Sequence, residues 1–242
     1  MKSIDKKYNN SVFGNRMYPT VVDWYPSDTK ERFESLPKEH QDYWREQSPI
    51  NYNLNTYGFR SDEFPEKECR ESITFLGCSN TFGVGMPKEH TWTSILAKEL
   101  NLKEINLGIA SGSLDSAFRI YNEWQPIHKS KITCLFIPPT NRMEVAREGL
   151  WRTLGHWSLD DTNYGLELKS FIIDLLSDIN QEIRTDRNLA AIKYIAQETD
   201  SKFIAFPFFD EVADKKARDN MHPGHAFNIY AANKFIEAIG EL

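Results

Sequence analysis

The sequence predicts an α/β protein: a three-layer α/β/α sandwich around a mainly parallel sheet, preceded by an N-terminal arm. The chain has 242 residues, of which 40% are hydrophobic and 13% aromatic, enough to form a sizeable core. From Glu71 onward, short apolar runs of strand length alternate with longer segments whose apolar residues recur at helical spacing. Strands that alternate with helices favour a parallel sheet covered by helices on both faces.

The first quarter of the chain differs from the rest. Residues 1–65 are rich in Asn, Tyr, Pro and charged residues. Within them we expect one helix near residues 28–47 and a short extended segment at 49–55, where apolar and polar residues alternate. We predict that residues 1–65 form an arm packed on a main domain, residues 66–242.

The main domain is predicted to contain four strands and five helices. The expected strands are residues 72–76, 104–107, 131–137 and 202–206. The expected helices are residues 91–100, 113–124, 166–183, 188–198 and 225–239. Ser113 is a suitable N-cap for the second helix. Residues 142–165 contain Trp, Arg and Gly without clear periodicity, and we expect an irregular inserted loop there.

The overall charge and the cysteines narrow the class of protein. A net charge of −6, with no basic block, argues against nucleic acid as the main partner. The three cysteines form no C-x-x-C pair, which favours a reducing compartment over a disulfide framework. The first ten residues have no apolar core of a signal peptide, and no apolar stretch approaches the roughly 20 residues that span a bilayer. We therefore expect a cytoplasmic protein without a membrane span.

Polar residues follow each predicted strand. Open parallel sheets bind ligands in the crevice beyond the carboxyl ends of their strands. Ser79 follows the first strand, residues 108–112 form a glycine-containing turn after the second, and Asn141 follows the third. Asp219 and His222 lie beyond the fourth strand, just before the last helix. One edge of the sheet therefore gathers the groups that an acyl-transfer site needs.

Each of these residue types has a defined role in acyl transfer. A serine hydroxyl becomes a good nucleophile when an imidazole accepts its proton, as His222 could do for Ser79. A carboxylate must hold the other ring nitrogen, and Asp219 precedes the histidine in the same loop. The developing oxyanion needs donors already aimed at it. The backbone N–H of Ser79, an N–H near Gly112 and the side-chain amide of Asn141 are candidates.

Four sequence blocks resemble those of the SGNH (GDSL-like) hydrolases. Residues 77–83, G-C-S-N-T-F-G, resemble the family's G-D-S-x-T-x-G block, and residues 106–112 resemble the second block, which carries the oxyanion-hole glycine. Asn141 falls at the asparagine of the third block, and D-x-x-H at 219–222 is similar to the terminal block. The blocks occur in the family's order and cover residues 71–242.

The resemblance implies a flavodoxin-like sheet and a serine esterase that needs no cofactor and no metal. It implies a triad of Ser79, His222 and Asp219, and an oxyanion hole of Ser79, Gly112 and Asn141.

Three positions depart from the family pattern. Cys78 replaces the usual aspartate of the first block, which supports the turn and is not a triad member. Ser111 stands at the usual glycine spacing of the second block, with Gly112 one residue later, so the identity of the oxyanion N–H stays open between them. Arg142 follows Asn141 in place of the G-x-N-D form, and it either steers an anionic substrate or pairs with a carboxylate.

Structural explanations compete with these functional ones. Ser79 could be only a helix N-cap, His222 an ordinary loop residue and Asn141 a turn residue. Asp219, His222 and His225 also form a D-x2-H-x2-H array that could contribute to a metal site if a further ligand came from elsewhere. The glycines at 77, 83 and 85 have the wrong spacing for a nucleotide-binding loop.

The expected activity is hydrolysis of O-acyl esters of a small molecule or a carbohydrate. Residues 55–60, N-x-x-G-F-R, resemble segments ahead of the first block in some carbohydrate-active members, and this favours a small acyl group, such as acetyl, on a sugar. Trp151, His156 and Trp157 in the insertion could line an acyl or sugar pocket. The alternatives are an O-acyltransferase to a sugar acceptor and a non-catalytic binding module with the same fold.

Overall fold

The computed structural model describes residues 20–25, 27–147, 150–161, 165–207, 212 and 215–240. Its helices and strands are, in chain order, β1 (Thr20–Val22), α1 (Lys30–Glu34), α2 (Lys38–Arg45), β2 (Tyr52–Leu54), β3 (Ser72–Leu76), α3 (Ser79–Phe82), α4 (Trp92–Glu99), β4 (Lys103–Asn106), α5 (Leu114–His128), β5 (Ile132–Ile137), β6 (Met143–Arg147), β7 (Leu150–Leu154), α6 (Leu166–Leu175), α7 (Asp178–Glu198), β8 (Lys202–Pro207) and α8 (His225–Gly240).

The central sheet has four parallel strands in the order β4-β3-β5-β8. Thr74 of β3 pairs with Ile105 on one side and with Thr133 on the other. The first strand of the sheet therefore lies between the second and the third, as in flavodoxin-like sheets. The predicted parallel α/β fold is confirmed, and each predicted strand matches an observed one to within a residue.

Helices cover both faces of the sheet. On one face α4 and α8 pack around a cluster that includes Trp92 and Phe235, whose rings stack with centroids 4.7 Å apart. On the other face α5 and α7 pack around a cluster that includes Leu76 and Ile192. All five residues of β3 are buried because both faces are covered. None of the helices in the described ranges is long and apolar enough to cross a bilayer.

The described part of the arm packs against the main domain. β1 and β2 pair antiparallel. A buried apolar cluster joins arm and main domain; its members are Tyr25, Phe33, Trp44 and Tyr52 of the arm and Phe82, Val84, Met86 and Ala217 of the main domain. The division of the chain at residues 65 and 66 stays a prediction. Residues 1–19, including the segment examined for a signal peptide, lie outside the described residues.

Several predicted helices have wrong boundaries. The expected helix at 28–47 is two helices, α1 and α2, because Pro37 lacks an N–H and restricts the residue before it. The expected break at 184–187 lies instead at Leu176 and Ser177. Ser177 has extended backbone angles and precedes Asp178 in the first turn of α7, a helix start that the apolar pattern concealed.

The helix predicted for residues 113–124 is longer than expected. Ser113 caps α5 as predicted, with a reciprocal hydrogen bond to Ser116, but the helix continues past Pro126 to His128. The rings of Trp124 and His128 stack with centroids 5.3 Å apart, and this contact helps to hold the last turn.

The prediction of an irregular loop at residues 142–165 is wrong. β6 and β7 form an antiparallel hairpin, followed by a short 3₁₀ turn at His156–Leu159. Met143 and Val145 alternate with polar residues and contact a small apolar cluster with Ile172, the pattern of a half-buried strand. Arg119 of α5 donates to both carboxylate oxygens of Glu144, at 2.6 and 2.8 Å, and anchors the hairpin. Residues 148–149 and 162–164 of the predicted loop lie outside the described residues.

Candidate active site

Ser79 lies at the start of α3, directly beyond the carboxyl end of β3. The chain turns at Gly77, where a Cβ would lie 2.1 Å from Thr81 Oγ1, so no side chain fits there. The N-cap of α3 is Cys78, which makes no side-chain capping hydrogen bond. The alternative that Ser79 is the N-cap is therefore wrong.

Among the described residues, the Ser79 hydroxyl makes only a weak contact. Ser79 is 8% exposed, and its Oγ contacts Cys78 Sγ at 4.0 Å, the outer limit for a hydrogen bond to sulfur. Within the part of the chain that the structure describes, no hydrogen bond joins Ser79 to His222. A nearly buried hydroxyl with so little structural use remains available for chemistry.

Asp219 and His222 form a tight pair. Asp219 is fully buried, and its Oδ2 lies 2.5 Å from His222 Nδ1. Its Oδ1 accepts hydrogen bonds from the backbone N–H groups of Met221 and His222, both at 3.0 Å. Burial alone would raise the pKa of Asp219, but the hydrogen bond and charge of the His222 ring, together with these N–H groups, lower that pKa below its ordinary value. The carboxylate therefore stays ionised and holds Nδ1, which leaves Nε2 to exchange a proton.

The loop that carries this pair rests on the turn after α3. The N–H of Arg218 donates to Gly85 O at 3.0 Å, and a Cβ on Gly85 would lie 2.9 Å from Ala217 Cβ. His222 lines a small recess together with Asn80 and Gly83 of the α3 segment. The structure thus brings the first and last sequence blocks together.

The turn after β4 distinguishes the two candidate oxyanion donors. The N–H of Gly112 donates to Ile109 O at 3.0 Å and is already used. Ser111 is exposed and has a φ of 60°, the left-handed conformation that favours glycine. Ser111 therefore has the backbone conformation of a glycine position, and no described hydrogen bond uses its N–H.

The loop after β5 approaches the same turn. Arg142 Nη1 donates to Gly112 O at 3.5 Å, and its guanidinium lies 5.3 Å from the ring centroid of Trp157. Trp157 is 45% exposed. Asn141 is half-buried in the same loop. Among the described residues no carboxylate pairs with Arg142, so that expected alternative finds no support.

Trp151 and His156, the other two pocket candidates of the insertion, have different surroundings. Trp151 lies against Arg119, with the guanidinium 4.4 Å from the ring centroid, and belongs to the anchored hairpin. His156 is exposed at the start of the 3₁₀ turn.

Two buried arginines have structural roles that the sequence did not predict. Arg60 is 2% exposed, and its guanidinium donates to Gly83 O and, at 2.8 Å each, to Asn51 O and Met86 O. The 55–60 segment thus faces inward and holds the end of α3, and it does not support a carbohydrate substrate. Arg218, the neighbour of Asp219, pairs with the buried Asp28.

Asn106 begins the second sequence block, and the sequence alone did not indicate its structural role. It is buried, its Nδ2 donates to Thr81 O at 2.8 Å, and its Oδ1 accepts from Gly108 N at 2.9 Å. An asparagine at a strand end directly before a glycine turn was the available signal for this bridge to α3.

The geometry does not assemble the alternative metal array. The His225 ring lies against His90, with centroids 4.5 Å apart. In the described ranges, no group of three or more His, Cys, Asp or Glu side chains is placed to hold a metal ion.

Comparisons with known proteins give similarities in fold. No family model and no curated protein matches the sequence. The solved structures to which the chain is similar include the psychrotrophic esterase EstA from Pseudoalteromonas sp., with 13% identity over 71% of this chain and 97% of the other and a TM-score of 0.39. They also include Axe2, an acetylxylan esterase from Geobacillus stearothermophilus, with 15% identity over 73% and 97% and a TM-score of 0.37. A putative lipolytic protein of the G-D-S-L family from Desulfitobacterium hafniense has 14% identity over 67% and 96% and a TM-score of 0.34.

Proposed function

We propose that this protein is a serine esterase that cleaves O-acyl esters through Ser79, His222 and Asp219. The observation that carries the proposal is the buried, ionised Asp219 bound to His222 Nδ1. This pair lies in a loop that rests against the α3 segment, where the Ser79 hydroxyl makes only a weak contact with the described residues. That pairing selects the ring tautomer that a serine nucleophile needs.

The reaction proceeds through an acyl-enzyme. Ser79 Oγ attacks the acyl carbon while His222 Nε2 takes the hydroxyl proton. The bond from the acyl carbon to the alcohol oxygen then breaks, and Nε2 returns the proton to the departing alcohol. Water then attacks the acyl carbon bound to Ser79 while Nε2 takes its proton. The bond from the acyl carbon to Ser79 Oγ breaks, Nε2 returns the proton to Oγ, and the carboxylic acid leaves. Catalytic hydrogen bonds often tighten only when substrate binds, so the lack of a resting bond between Ser79 and His222 is compatible with this route.

The oxyanion is held by three donors in this proposal. They are the backbone N–H of Ser79, the backbone N–H of Ser111 and the side-chain amide of Asn141. Ser111 replaces Gly112 in our assignment because the Gly112 N–H already donates to Ile109 O. The left-handed backbone at Ser111 supports the same choice.

The proposed substrate is a small O-acyl ester on a polar molecule such as a sugar. The support is Trp157, an exposed ring beside the guanidinium of Arg142, next to the proposed oxyanion turn. An exposed aromatic ring gives a ligand an apolar face to pack on, and a polar group beside it fixes the orientation of a polar ligand.

An active-site fluorophosphonate probe tests the mechanism. The intact protein should be labelled on Ser79, and Ser79→Ala should lose both the label and turnover of p-nitrophenyl acetate. The matched control Ser130→Ala, which removes a buried hydroxyl elsewhere, should keep the label. Turnover that persists in Ser79→Ala contradicts the mechanism, preference for long acyl chains contradicts the small-acyl substrate, and an unlabelled intact protein favours a binding module.

A further inference from the structure

We propose that the N-terminal arm positions the Asp219–His222 loop relative to Ser79 through a closed ring of hydrogen bonds. This inference rests on the proposed function, because it assigns to Asp28, Tyr52 and Arg218 a positioning role in that site. These residues touch neither the hydroxyl nor the imidazole in the described contacts; they act through the loops that carry them.

The ring passes through four residues. The N–H of Gly85 donates to the Tyr52 hydroxyl at 2.9 Å, and that hydroxyl donates to Asp28 Oδ2 at 2.5 Å. Arg218 grips the same carboxylate, with Nε 3.0 Å from Oδ1 and Nη2 2.6 Å from Oδ2. The backbone N–H of Arg218 then donates to Gly85 O at 3.0 Å and closes the ring.

The ring connects the two halves of the proposed site. Gly85 lies in the turn just beyond α3, which begins with Ser79. Arg218 directly precedes Asp219 in the chain. The two residues that come from the arm, Asp28 and Tyr52, therefore bridge the loop of the nucleophile and the loop of its acid–base partner.

Burial makes this bridge stiff. Asp28 and Tyr52 are fully buried and Arg218 is 8% exposed. A two-point contact between a guanidinium and a carboxylate fixes both distance and angle, and it is stronger away from water. Burial and the charge of Asp28 raise the pKa of Tyr52 well above its ordinary range, so its hydroxyl remains a donor. The Trp24 ring covers the guanidinium, with Arg218 Cζ 3.9 Å from its centroid.

Helices α1 and α2 hold the same loop by its carbonyl groups. Arg32 Nε donates to Asp219 O at 3.0 Å, and Trp44 Nε1 donates to Lys216 O at 3.2 Å. His40 Nε2 donates to Arg218 O, also at 3.2 Å. Side chains of the arm therefore donate to three backbone carbonyl groups of the segment before His222. Together these bonds fix the position of that segment relative to α1 and α2.

Tyr52→Phe tests the ring with little change in volume. It removes the hydroxyl that joins Gly85 to Asp28 and leaves the ion pair of Asp28 and Arg218 intact. We expect kcat for p-nitrophenyl acetate to fall about tenfold or more, since small misplacements of reacting groups cost that much, with KM unchanged. Amide hydrogen exchange at Met221 and His222, whose N–H groups bind Asp219, should accelerate by about tenfold.

Tyr121→Phe is the matched control. Tyr121 is also fully buried, and its hydroxyl bonds to Thr133 Oγ1 at 2.8 Å in the core of the main domain. This variant should lose thermal stability to a similar degree but leave kcat and the exchange of the Met221 and His222 amides unchanged. Equal exchange at those two amides in both variants would overturn the positioning role, whatever the activity.

A charge-neutral double variant provides a second test. Asp28→Asn with Arg218→Gln removes both charges together, so no unpaired charge stays buried. We expect the same faster exchange and lower kcat, and a rigid loop in this variant would equally overturn the proposal. If exchange accelerates as expected while the intact protein turns over no ester and takes no fluorophosphonate, the ring positions the loop but the proposed esterase function is wrong.

Discussion

Two polar clusters lie at opposite ends of the central sheet, and they differ in how their hydroxyl groups are used. At the amino end, Ser130 Oγ bonds to Ser72 Oγ at 2.8 Å and to Thr74 Oγ1 at 2.7 Å. At the carboxyl end, the one contact of the Ser79 hydroxyl with the described residues is that with a cysteine sulfur at 4.0 Å. Both ends bury serine hydroxyls, but among the described residues the strong hydroxyl–hydroxyl bonds lie at the amino end, and this difference separates a structural cluster from a candidate site.

Two histidines, one at each end of the sheet, show the same contrast. His128, beside the amino-end cluster, packs on Trp124 and Phe64, and burial lowers its pKa to about 4, so it is neutral at physiological pH. His222, at the carboxyl end, is bound to an ionised carboxylate that would support a positive ring in the proposed proton transfer. A histidine in the core and a histidine in a site can therefore be told apart by the charge of their partners.

Replacing the two histidines should give the largest difference. His222→Ala should lower kcat for p-nitrophenyl acetate by about 10⁴–10⁶-fold, the range that spans loss of the different triad members. His128→Phe should keep kcat and change only the melting temperature. A His222→Ala enzyme that retains more than about a tenth of the activity would remove His222 from the mechanism.

Asp219→Asn should have the next largest effect, a fall in kcat of about 10⁴-fold. Asparagine still offers an oxygen to the N–H groups of Met221 and His222, but it cannot stabilise a charged imidazole. Asp115→Asn, which changes a carboxylate bound to Asn188 on the α5 face, is the control and should leave steady-state kinetics unchanged.

Asn141→Ala tests the weakest of the assigned site residues. Loss of one oxyanion donor should lower kcat by about 10²–10³-fold with little change in KM. The comparison is Asn180→Ala, an asparagine whose amide bonds to Asp174 O at the start of α7. Equal kinetics for the two variants would exclude Asn141 from the oxyanion hole.

Ser130→Ala should affect stability alone. It deletes a hydroxyl that serves two neighbours, so the free energy of unfolding in urea should fall by about 1–3 kcal/mol while kcat stays constant. A loss of activity without a loss of stability would reverse the roles that we give to the two ends of the sheet.

A final prediction concerns the pH dependence of stability. Because the pKa of His128 is about 4 in the folded protein and 6.5 in an unfolded chain, the unfolded state binds more protons between these values. His128 should therefore make stability fall as pH drops from 6.5 toward 4, by up to about 1.4 kcal/mol per pH unit. Urea titrations of His128→Phe should show a shallower decline than the intact protein over this window.

The sequence predicted well what depends on local pattern. Apolar runs predicted all four strands of the sheet. The rule that ligands bind beyond strand ends predicted that Asp219 and His222 would lie near Ser79, and the structure has His222 beside the α3 segment. The helix break at Ser177 was misplaced because apolar spacing continues across it. The β6–β7 hairpin was missed although Met143 and Val145 alternate with polar residues, because the Trp and Arg content suggested a loop.

Long-range polar contacts lay beyond sequence reasoning. Asp28 and Arg218 are 190 positions apart, and each is unremarkable in its local context. The choice between Ser111 and Gly112 depended on which N–H the turn already uses, and no spacing rule reports that. Burial and hydrogen-bond partners become visible only once distant segments meet.

The four-residue ring also bears on where this protein can be divided. Resemblance to known hydrolases begins near residue 71, yet the counter-charge of Arg218 and the side chains that bind the carbonyls of Lys216 and Asp219 come from residues 28–44. A fragment that begins near residue 71 would leave the Arg218 guanidinium without the Asp28 carboxylate, and Phe82 without the aromatic side chains of the arm that pack on it. A fragment that keeps the Asp219–His222 loop in this environment must therefore begin well upstream of residue 71.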